Sequence, residues 1–270
     1  RQRWLSNASK DKTTLRLTES ERAWLAAHPK IRIGIDGAYA PYSFLGENGQ
    51  YQGVAPDFIQ LLGDMLGIDI EPVPDLSWSE ILEGARNRTL DVIATAVQNP
   101  ARNEFLSFTD VYIPTPYVIM TRTAETKIRE PQDLVGRRVA LVEGYASAQR
   151  VLREYPKVDA YWVKTPLDGL RAVATGTADA YVGVLGINVY LSSKYGISNL
   201  KVAAGYELQE DGQRFGVRKD WPELAAILDK ALVAIPETEK LRILRRWIPV
   251  EVIPTTPQAP VQKLKLTAPE

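Results

Sequence analysis

From residue 31 onward the apolar positions of the chain alternate between a strand-like and a helix-like period. Short β-branched runs are typical of strands, and apolar side chains spaced three or four positions apart are typical of helices. The predicted strands lie at 31–36, 68–74, 90–97, 137–143, 158–163, 178–184 and 200–205. Helices are predicted between them, and this alternation is typical of an α/β protein with parallel sheets covered by helices.

Capping residues mark several helix ends. Thr18 and Glu21 form the spacing of a capping box, as do Ser77 and Glu80. Gly67 follows an amphipathic segment and predicts a helix end there. The apolar face of that helix, at 55–67, is predicted from its spacing to comprise Phe58, Leu61, Leu62 and Met65.

The alternation of predicted strands and helices changes twice along the chain. It pauses at 107–122 and resumes at 137, so that two α/β halves of similar size are predicted. Later come two amphipathic helices, at 220–235 and 237–248. The stretch 249–270 is rich in proline, which cannot continue a helix or a central strand, and it is interpreted as a linker.

Composition narrows the classes of function. The chain has 270 residues, with 33 basic residues balanced by 33 acidic ones. Without net charge it has no field that would gather nucleic acid. It contains no cysteine and one histidine, His28, so no nucleophile with a base and no metal site can be assembled from the sequence. No apolar run reaches the ~18 residues of a spanning helix. A soluble protein, or a soluble segment of a longer one, is expected.

Four stretches resemble the type II periplasmic solute-binding proteins, the bacterial extracellular solute-binding proteins of family 3. Within this family, the four stretches are most similar to the Venus-flytrap sensor domains of BvgS- and EvgS-type sensor histidine kinases. The stretches are LTESERAWLAAHPKIRIGID, YAPYSFLGENGQYQGVAPDFIQLL, LDVIATAVQNPARNEFLSFTDVY and FGVRKDWPELAAILDKALVAI with RRWI. The resemblance implies two lobes, two hinge crossings, near 116–120 and 204–207, and a ligand held in the cleft.

The same resemblance sets the expected domain boundaries. A linker and helix would occupy 1–30, lobe 1 would comprise 31–117 plus 207–248, and lobe 2 would span 118–206. The proline-rich linker would occupy 249–270.

Arg102 is the first candidate site residue. It follows Gln98, Asn99 and Pro100 in a strand-to-helix turn, where the family holds an arginine whose guanidinium binds a ligand carboxylate through two parallel hydrogen bonds. A solvated arginine at a helix start is the alternative.

Other lobe 1 candidates come from the resemblance. Aromatic side chains on the loops that border the cleft would sandwich the ligand body, although any one of them taken alone is more often a core residue. The aromatic candidates are Tyr39, Tyr42, Phe44 and Trp78, and the polar or strand-end candidates are Asp36, Thr95, Ala96 and Gln98.

Lobe 2 would supply the second half of the anion site. Glu143, Tyr145, Ala146 and Ser147 lie in a small-residue turn that opens a helix, whose N–H groups and dipole favour an anion. An ordinary capped turn is the alternative. In amino-acid-binding relatives the strand that corresponds to 178–184 ends in an aspartate that pairs with the ligand ammonium, and here that position is Val184. A small carboxylate without an α-amino group is therefore the expected ligand.

The resulting hypothesis is a periplasmic ligand-sensing domain of an inner-membrane sensor histidine kinase, without catalysis, cofactor or metal of its own. Its expected partners are the small carboxylate, neighbouring parts of the same sensor and a second copy in a homodimer. Three alternatives stay open: a free binding component of an ABC transporter, a dehydratase-like enzyme that uses Asp36 and Glu143, and a structural lobe pair that has lost its ligand.

Overall fold

The computed structural model describes residues 15–143, 145–206 and 212–248, which divide into two compact units. Unit 1 comprises the described residues up to Ile113 together with Gln213–Trp247, and unit 2 comprises those from Pro114 to Gly212 together with Ile248. Residues 1–14 of the predicted entry segment and the whole of the predicted linker at 249–270 lie outside the described residues, as does Glu207 of the second expected hinge crossing.

The order of elements follows the alternation predicted from the sequence, with additional short strands. The helices are α1 (Glu19–Ala27), α2 (Val54–Leu66), α3 (Trp78–Arg86), α4 (Pro100–Asn103), α5 (Ala146–Glu154), α6 (Pro166–Thr175), α7 (Leu185–Lys194), α8 (Pro222–Ala234) and α9 (Glu237–Trp247). The strands are β1 (Lys30–Gly34), β2 (Ala38–Tyr39), β3 (Ser43–Leu45), β4 (Tyr51–Gln52), β5 (Asp69–Val73), β6 (Val92–Ala96), β7 (Leu106–Phe108), β8 (Ile113–Pro114), β9 (Tyr117–Arg122), β10 (Arg138–Val142), β11 (Asp159–Val163), β12 (Ala180–Val184), β13 (Leu200–Tyr206) and β14 (Gly212–Arg218).

The predicted helix ends of unit 1 are confirmed. Thr18 accepts the N–H of Glu21 while the Glu21 carboxylate accepts the N–H of Thr18, and Ser77 and Glu80 repeat this capping box at α3. Gly67 ends α2 in the left-handed conformation, with φ of 68°, which glycine adopts without the steric cost of a side chain.

The predicted face of α2 is partly wrong. Phe58 and Leu62 are buried as expected, but Leu61 and Met65 are only half-buried. Ile59 and Leu66 take their places in the core. Leu61 and Met65 lie on one side of the line that joins Phe58 and Leu62 along the helix. The helix packs with the opposite side of this line against the core.

Unit 1 is built on a mixed sheet with strand order β5-β1-β6-β14-β7, and β8 also pairs with β14. β1 is parallel to β5 and β6, whereas β14 runs antiparallel to β6 and β7. The predicted parallel pairing is present between β1 and its neighbours β5 and β6, and the sequence did not predict the antiparallel pairing of β14. A separate small antiparallel sheet, β2-β3-β4, carries the loop from Tyr39 to Phe44.

Unit 2 contains a mixed sheet with strand order β11-β10-β12-β9-β13. β10 is parallel to β11 and β12, and β9 runs antiparallel to β12 and β13. Because successive side chains of a strand point to opposite faces, Tyr181 packs into the core on one face, with Leu185 and Val189 of α7, and Val182 packs into the core on the other.

A buried carboxylate ties three strands of unit 1 together. Asp91, only 2% exposed, immediately precedes β6 and accepts hydrogen bonds from the Arg32 side chain of β1 at 2.8 and 2.9 Å. It also accepts one from Arg218 of β14 at 3.1 Å. Burial opposes the charge of Asp91, but the bonds from Arg32 and Arg218 outweigh it and hold the carboxyl pKa below its ordinary value.

We expect Asp91→Asn to lower the free energy of unfolding by about 3 to 5 kcal/mol, because two guanidinium groups lose a buried anionic partner. The depressed pKa adds stability above the pKa of the unfolded state, and this contribution is lost as the pH falls through the folded-state pKa. Urea denaturation of both proteins at pH 7 and between pH 5 and 3 measures this. The variant should lose less stability on acidification.

The matched control is Glu239→Gln, which removes an exposed ion pair with Arg242. It should leave the urea midpoint almost unchanged. Equal stability of the Asp91→Asn protein and the wild type would contradict the role given to Asp91.

Candidate functional site

Arg102 lies in α4 and its guanidinium is half-buried. It stacks over the ring of Trp78, 5.1 Å from the centroid, and its Nη1 donates to the carbonyl of Val97 at 2.6 Å. Burial lowers the pKa of Arg102, which means that its charge has lost part of its hydration. No carboxylate lies within 4.0 Å of it in the described part of the chain. An anionic ligand could supply the negative charge that the Arg102 guanidinium lacks among the described residues.

The turn that positions Arg102 follows the end of β6. The Asn99 side chain accepts the N–H of Arg102 at 2.9 Å, and Pro100 begins the short helix. Of the predicted strand-end residues, Thr95 and Ala96 are buried. Gln98 is exposed, and its amide donates to the Asn103 side chain at 3.1 Å.

The predicted aromatic residues of unit 1 have different environments. Trp78 is half-buried under Arg102, so these two candidates lie together. Tyr42 is 1% exposed and lies 5.3 Å from the Tyr39 ring, a burial that a core role would equally explain. Phe44 is half-buried, with its ring edge-on to Trp247 at 5.6 Å.

Asp36 follows β1 and organises a turn. Its carboxylate accepts the N–H of Ala38 at 2.9 Å, and its carbonyl accepts the hydroxyl of Ser43 at 2.7 Å. One role of Asp36 is therefore to hold the start of the loop that carries Tyr39 and Tyr42.

In unit 2, the turn after β10 leads into α5 without a side-chain cap. The N-cap residue is Tyr145, which is 42% exposed, and Glu143 is also exposed. Ser147, in the first turn of α5, is 4% exposed. Ala146 begins the helix, and its side chain lies outside the described residues, as does Gly144.

Val184 ends β12 and is also the N-cap residue of α7. Its side chain is 7% exposed and supplies no capping hydrogen bond. The N–H of Leu185, the first helical residue, donates to the carbonyl of Pro116 at 2.9 Å. Asp179 precedes the opposite end of β12, where it pairs with Arg122 at 3.7 Å. The carboxyl end of β12 therefore has no acidic side chain of its own.

Tyr181, which was not among the candidates predicted from the sequence, lies close to the same strand end. A Cβ atom at Gly183 would come within 2.6 Å of the Tyr181 hydroxyl oxygen, so this hydroxyl lies directly beside the residue that precedes Val184. Burial raises the pKa of Tyr181, and the nearby side chains of Tyr145 and Tyr117 raise it further. The Tyr181 hydroxyl therefore stays protonated and can donate a hydrogen bond. The period-two pattern of the strand marked Tyr181 only as a core residue.

Asn188 was not among the predicted candidates either. It is completely buried on α7, and neither polar atom of its side chain has a hydrogen-bond partner among the described residues. Ser192, one turn further along, is 3% exposed and its hydroxyl is likewise unpartnered there. An amide within the apolar stretch LGINVYL is the signal that could have revealed this position.

Other features of the described residues lie away from these candidates. A surface cavity of about 310 Å³ is lined by residues such as Arg86, Phe105 and Lys219 and contains none of the predicted site residues. His28 stacks on Trp24 at 3.9 Å beside Trp221. Among residues 15–143, 145–206 and 212–248, no group of three or more acidic or histidine side chains could hold a metal ion, and no helix is long and apolar enough to span a membrane.

Comparison with known proteins gives a family match over most of the chain. Residues 31–250 match the family of bacterial extracellular solute-binding proteins, family 3.

Sensor proteins are among the similar sequences and structures. The virulence sensor protein BvgS of Bordetella pertussis is 29% identical over 84% of this chain, which spans 18% of that protein. The sensor protein EvgS of Escherichia coli is 28% identical over 87% of this chain and 19% of that protein. The crystal structure of the BvgS periplasmic VFT2 domain aligns with a TM-score of 0.74 and 28% identity, covering 87% of this chain and 100% of that one.

A free-standing binding protein is also similar. The L-cystine-binding protein TcyA of Bacillus subtilis is 24% identical over 82% of this chain and 82% of its own length. The chain thus spans about a fifth of the sensor proteins and most of the binding protein.

We expect Gly183→Ala to lower the free energy of unfolding by about 1 to 3 kcal/mol, because the new methyl group collides with the Tyr181 ring and hydroxyl. Adding Tyr181→Leu should recover part of this loss, as contacting residues do in a double-mutant cycle. Urea denaturation of the single and double variants measures the coupling, and strictly additive effects would mean that the two residues do not touch.

Proposed function

Because the chain belongs to the bacterial extracellular solute-binding proteins of family 3, we propose that it is the periplasmic ligand-sensing domain of a membrane-bound two-component sensor histidine kinase. Ligand would bind at the candidate residues of the two units and signal by drawing the lobes together. The kinase, the membrane anchor and a homodimer would belong to the full-length protein.

The observation that carries this proposal is the match to a whole sensor domain. The alignment covers all of the BvgS VFT2 domain structure, whereas the chain corresponds to less than a fifth of BvgS itself. A match along the whole of one sensing domain supports a sensing role for this chain.

A free binding component of an ABC transporter is the second candidate, and the match to TcyA over most of its length favours it. The reading frame of the complete gene distinguishes the two proposals, since a sensor continues into a kinase. BvgS, EvgS and TcyA are sensors and a binding protein, which gives the dehydratase-like alternative no further support.

The proposed ligand is a small carboxylate without an α-amino group. Arg102 supports the carboxylate, because its half-buried guanidinium has a neutral carbonyl and an indole ring as neighbours and no anion among the described residues. Val184 supports the absence of the amine, because a buried ammonium at this strand end would meet an apolar side chain instead of a carboxylate.

We expect Arg102→Ala to weaken binding of a small carboxylate by about 2 to 5 kcal/mol, the usual loss when a buried charge pair is broken. A thermal-shift screen of acids that includes butyrate and benzoate, followed by calorimetry, measures this.

The control is Arg86→Ala, whose guanidinium also stacks on an aromatic ring, that of Phe105 at 4.7 Å, but at the end of α3. Its affinity should match the wild type. An Arg102→Ala affinity within about threefold of the wild type, well under 1 kcal/mol, would remove Arg102 from the site.

One chain of contacts in unit 1 supports signalling through the last helix. The Phe44 ring contacts Trp247 at the end of α9, and the Trp247 indole donates to Asp57 in the first turn of α2 at 2.8 Å. Arg246 also reaches Asp57 at 3.1 Å. A shift of the loop that bears Phe44 would therefore act on the residue at which the chain leaves α9.

We expect Phe44→Ala to speed hydrogen exchange of the α9 amides at Leu244–Trp247 by roughly threefold to tenfold, because an edge-to-face ring pair contributes about 0.5 to 1.5 kcal/mol. The neighbouring Leu45→Ala, at a side chain that is 50% exposed on the same strand, is the control and should leave exchange unchanged. Identical exchange in both variants would show that α9 is not coupled to this loop.

A further inference from the structure

Two helices of unit 2 begin side by side. β10 and β12 are parallel neighbours, so that α5 and α7, which follow them, start at the same edge of the sheet. Neither helix has a side-chain cap, whereas Thr165 caps α6. The positive ends of two helix dipoles therefore lie near one another, without an acidic cap to neutralise either.

The first turn of α7 offers specific donors. Leu185 uses its N–H on Pro116, but helix geometry leaves the N–H groups of Gly186 and Ile187 without an intrahelical acceptor. The N-cap Val184 adds no oxygen that could accept them.

Asn188 is an independent sign of a ligand at this helix end. Its side chain is 0% exposed and both of its polar atoms lack partners in the described chain. Helical side chains tilt toward the N-terminus, so the Asn188 amide is directed back along the helix toward its first turn. A buried unpaired amide costs free energy unless something occupies its hydrogen bonds.

Tyr181 provides a further donor at the same place. Its hydroxyl lies beside Gly183, whose lack of a side chain leaves room for that oxygen. The donors thus come from the strand, the turn and the helix, and none of these groups carries a negative charge.

We propose that the first turn of α7, with Asn188 and Tyr181, is a second anion subsite, and that the ligand is a small dicarboxylate. The inference rests on the proposed function, in which Arg102 binds the first carboxylate. In amino-acid-binding relatives the ligand ammonium lies at this position, whereas here the second carboxylate of the ligand would bind there. The presence of Val184 instead of an aspartate both removes the partner of an amine and leaves the helix end free to attract the opposite charge.

The test compares three four-carbon acids at constant ionic strength by calorimetry: succinate, butyrate and 2-aminobutyrate. We expect succinate to bind the wild type at least about tenfold more tightly than either monoacid, the discrimination typical of a site that pairs an otherwise unsatisfied polar group. In NMR spectra, succinate should shift the backbone N–H resonances of Gly186 and Ile187, and butyrate should not.

Asn188→Leu and Asn188→Asp should each bring succinate and butyrate to within about threefold of one another, the first by removing the donor and the second by adding a repelling charge. Two variants are used because one replacement could impair folding. Ser192→Ala is the matched control, since Ser192 is also buried but lies one turn further from the helix end, and it should keep the preference.

The outcomes separate this inference from the proposed function. If succinate binds no more tightly than butyrate, the second subsite is absent. If butyrate binding is then still lost in Arg102→Ala, the carboxylate-sensing proposal stands by itself. If none of the three acids binds, the dicarboxylate is excluded, and the screen that includes benzoate decides the carboxylate proposal separately. A preference that survives both Asn188 variants would also overturn the role of this residue.

Discussion

Parallel pairing of neighbouring strands is the constraint on which the candidate site depends. When two parallel strands lie side by side, the segments that follow them leave from one edge of the sheet. In unit 2 this places the starts of α5 and α7 together, and in unit 1 the pairing of β1 with β6 places Asp36 and the turn before Arg102 at one edge. Polar groups far apart in the sequence are thereby gathered without a dedicated contact between them.

Two arginines of unit 1 have contrasting environments. Arg218, whose side chain is 13% exposed, lies between the carboxylates of Asp91 and Asp220, and its charge is matched within the fold. Arg102 is half-buried beside a carbonyl and an aromatic ring. The Arg218 ion pairs stabilise a strand pairing. The positive charge of Arg102, in contrast, has no negatively charged partner in the described part of the protein.

Local signals in the sequence predicted most of the elements, since capping boxes and left-handed glycines act within one turn. The boxes at Thr18 and Ser77 and the end of α2 at Gly67 are confirmed in this way. The strand directions of β9 and β14 were not predicted, because pairing partners distant in the sequence decide them. The same holds for the α2 face, where neighbouring elements select Ile59 and Leu66 over Leu61 and Met65.

The candidate site was predicted less completely than the fold. Arg102 and Trp78 were predicted as separate candidates, and the contact between them was not predicted. Tyr181 and Asn188 were overlooked because a strand or helix pattern records which side chains are buried, and it does not record whether their polar atoms find partners. Burial and hydrogen bonding are separate properties, and only coordinates reveal the second.

The chemistry of the donors beside β12 has one further consequence. Backbone N–H groups, the Asn188 amide and a tyrosine hydroxyl whose pKa is raised by burial all keep one protonation state from mildly acidic to mildly alkaline conditions. An aspartate or a histidine in their place would add a titration of its own. In the proposed site the protonation state of these donors therefore does not change over this range. The pH dependence of ligand binding at this position would come from the ionisation of the ligand itself.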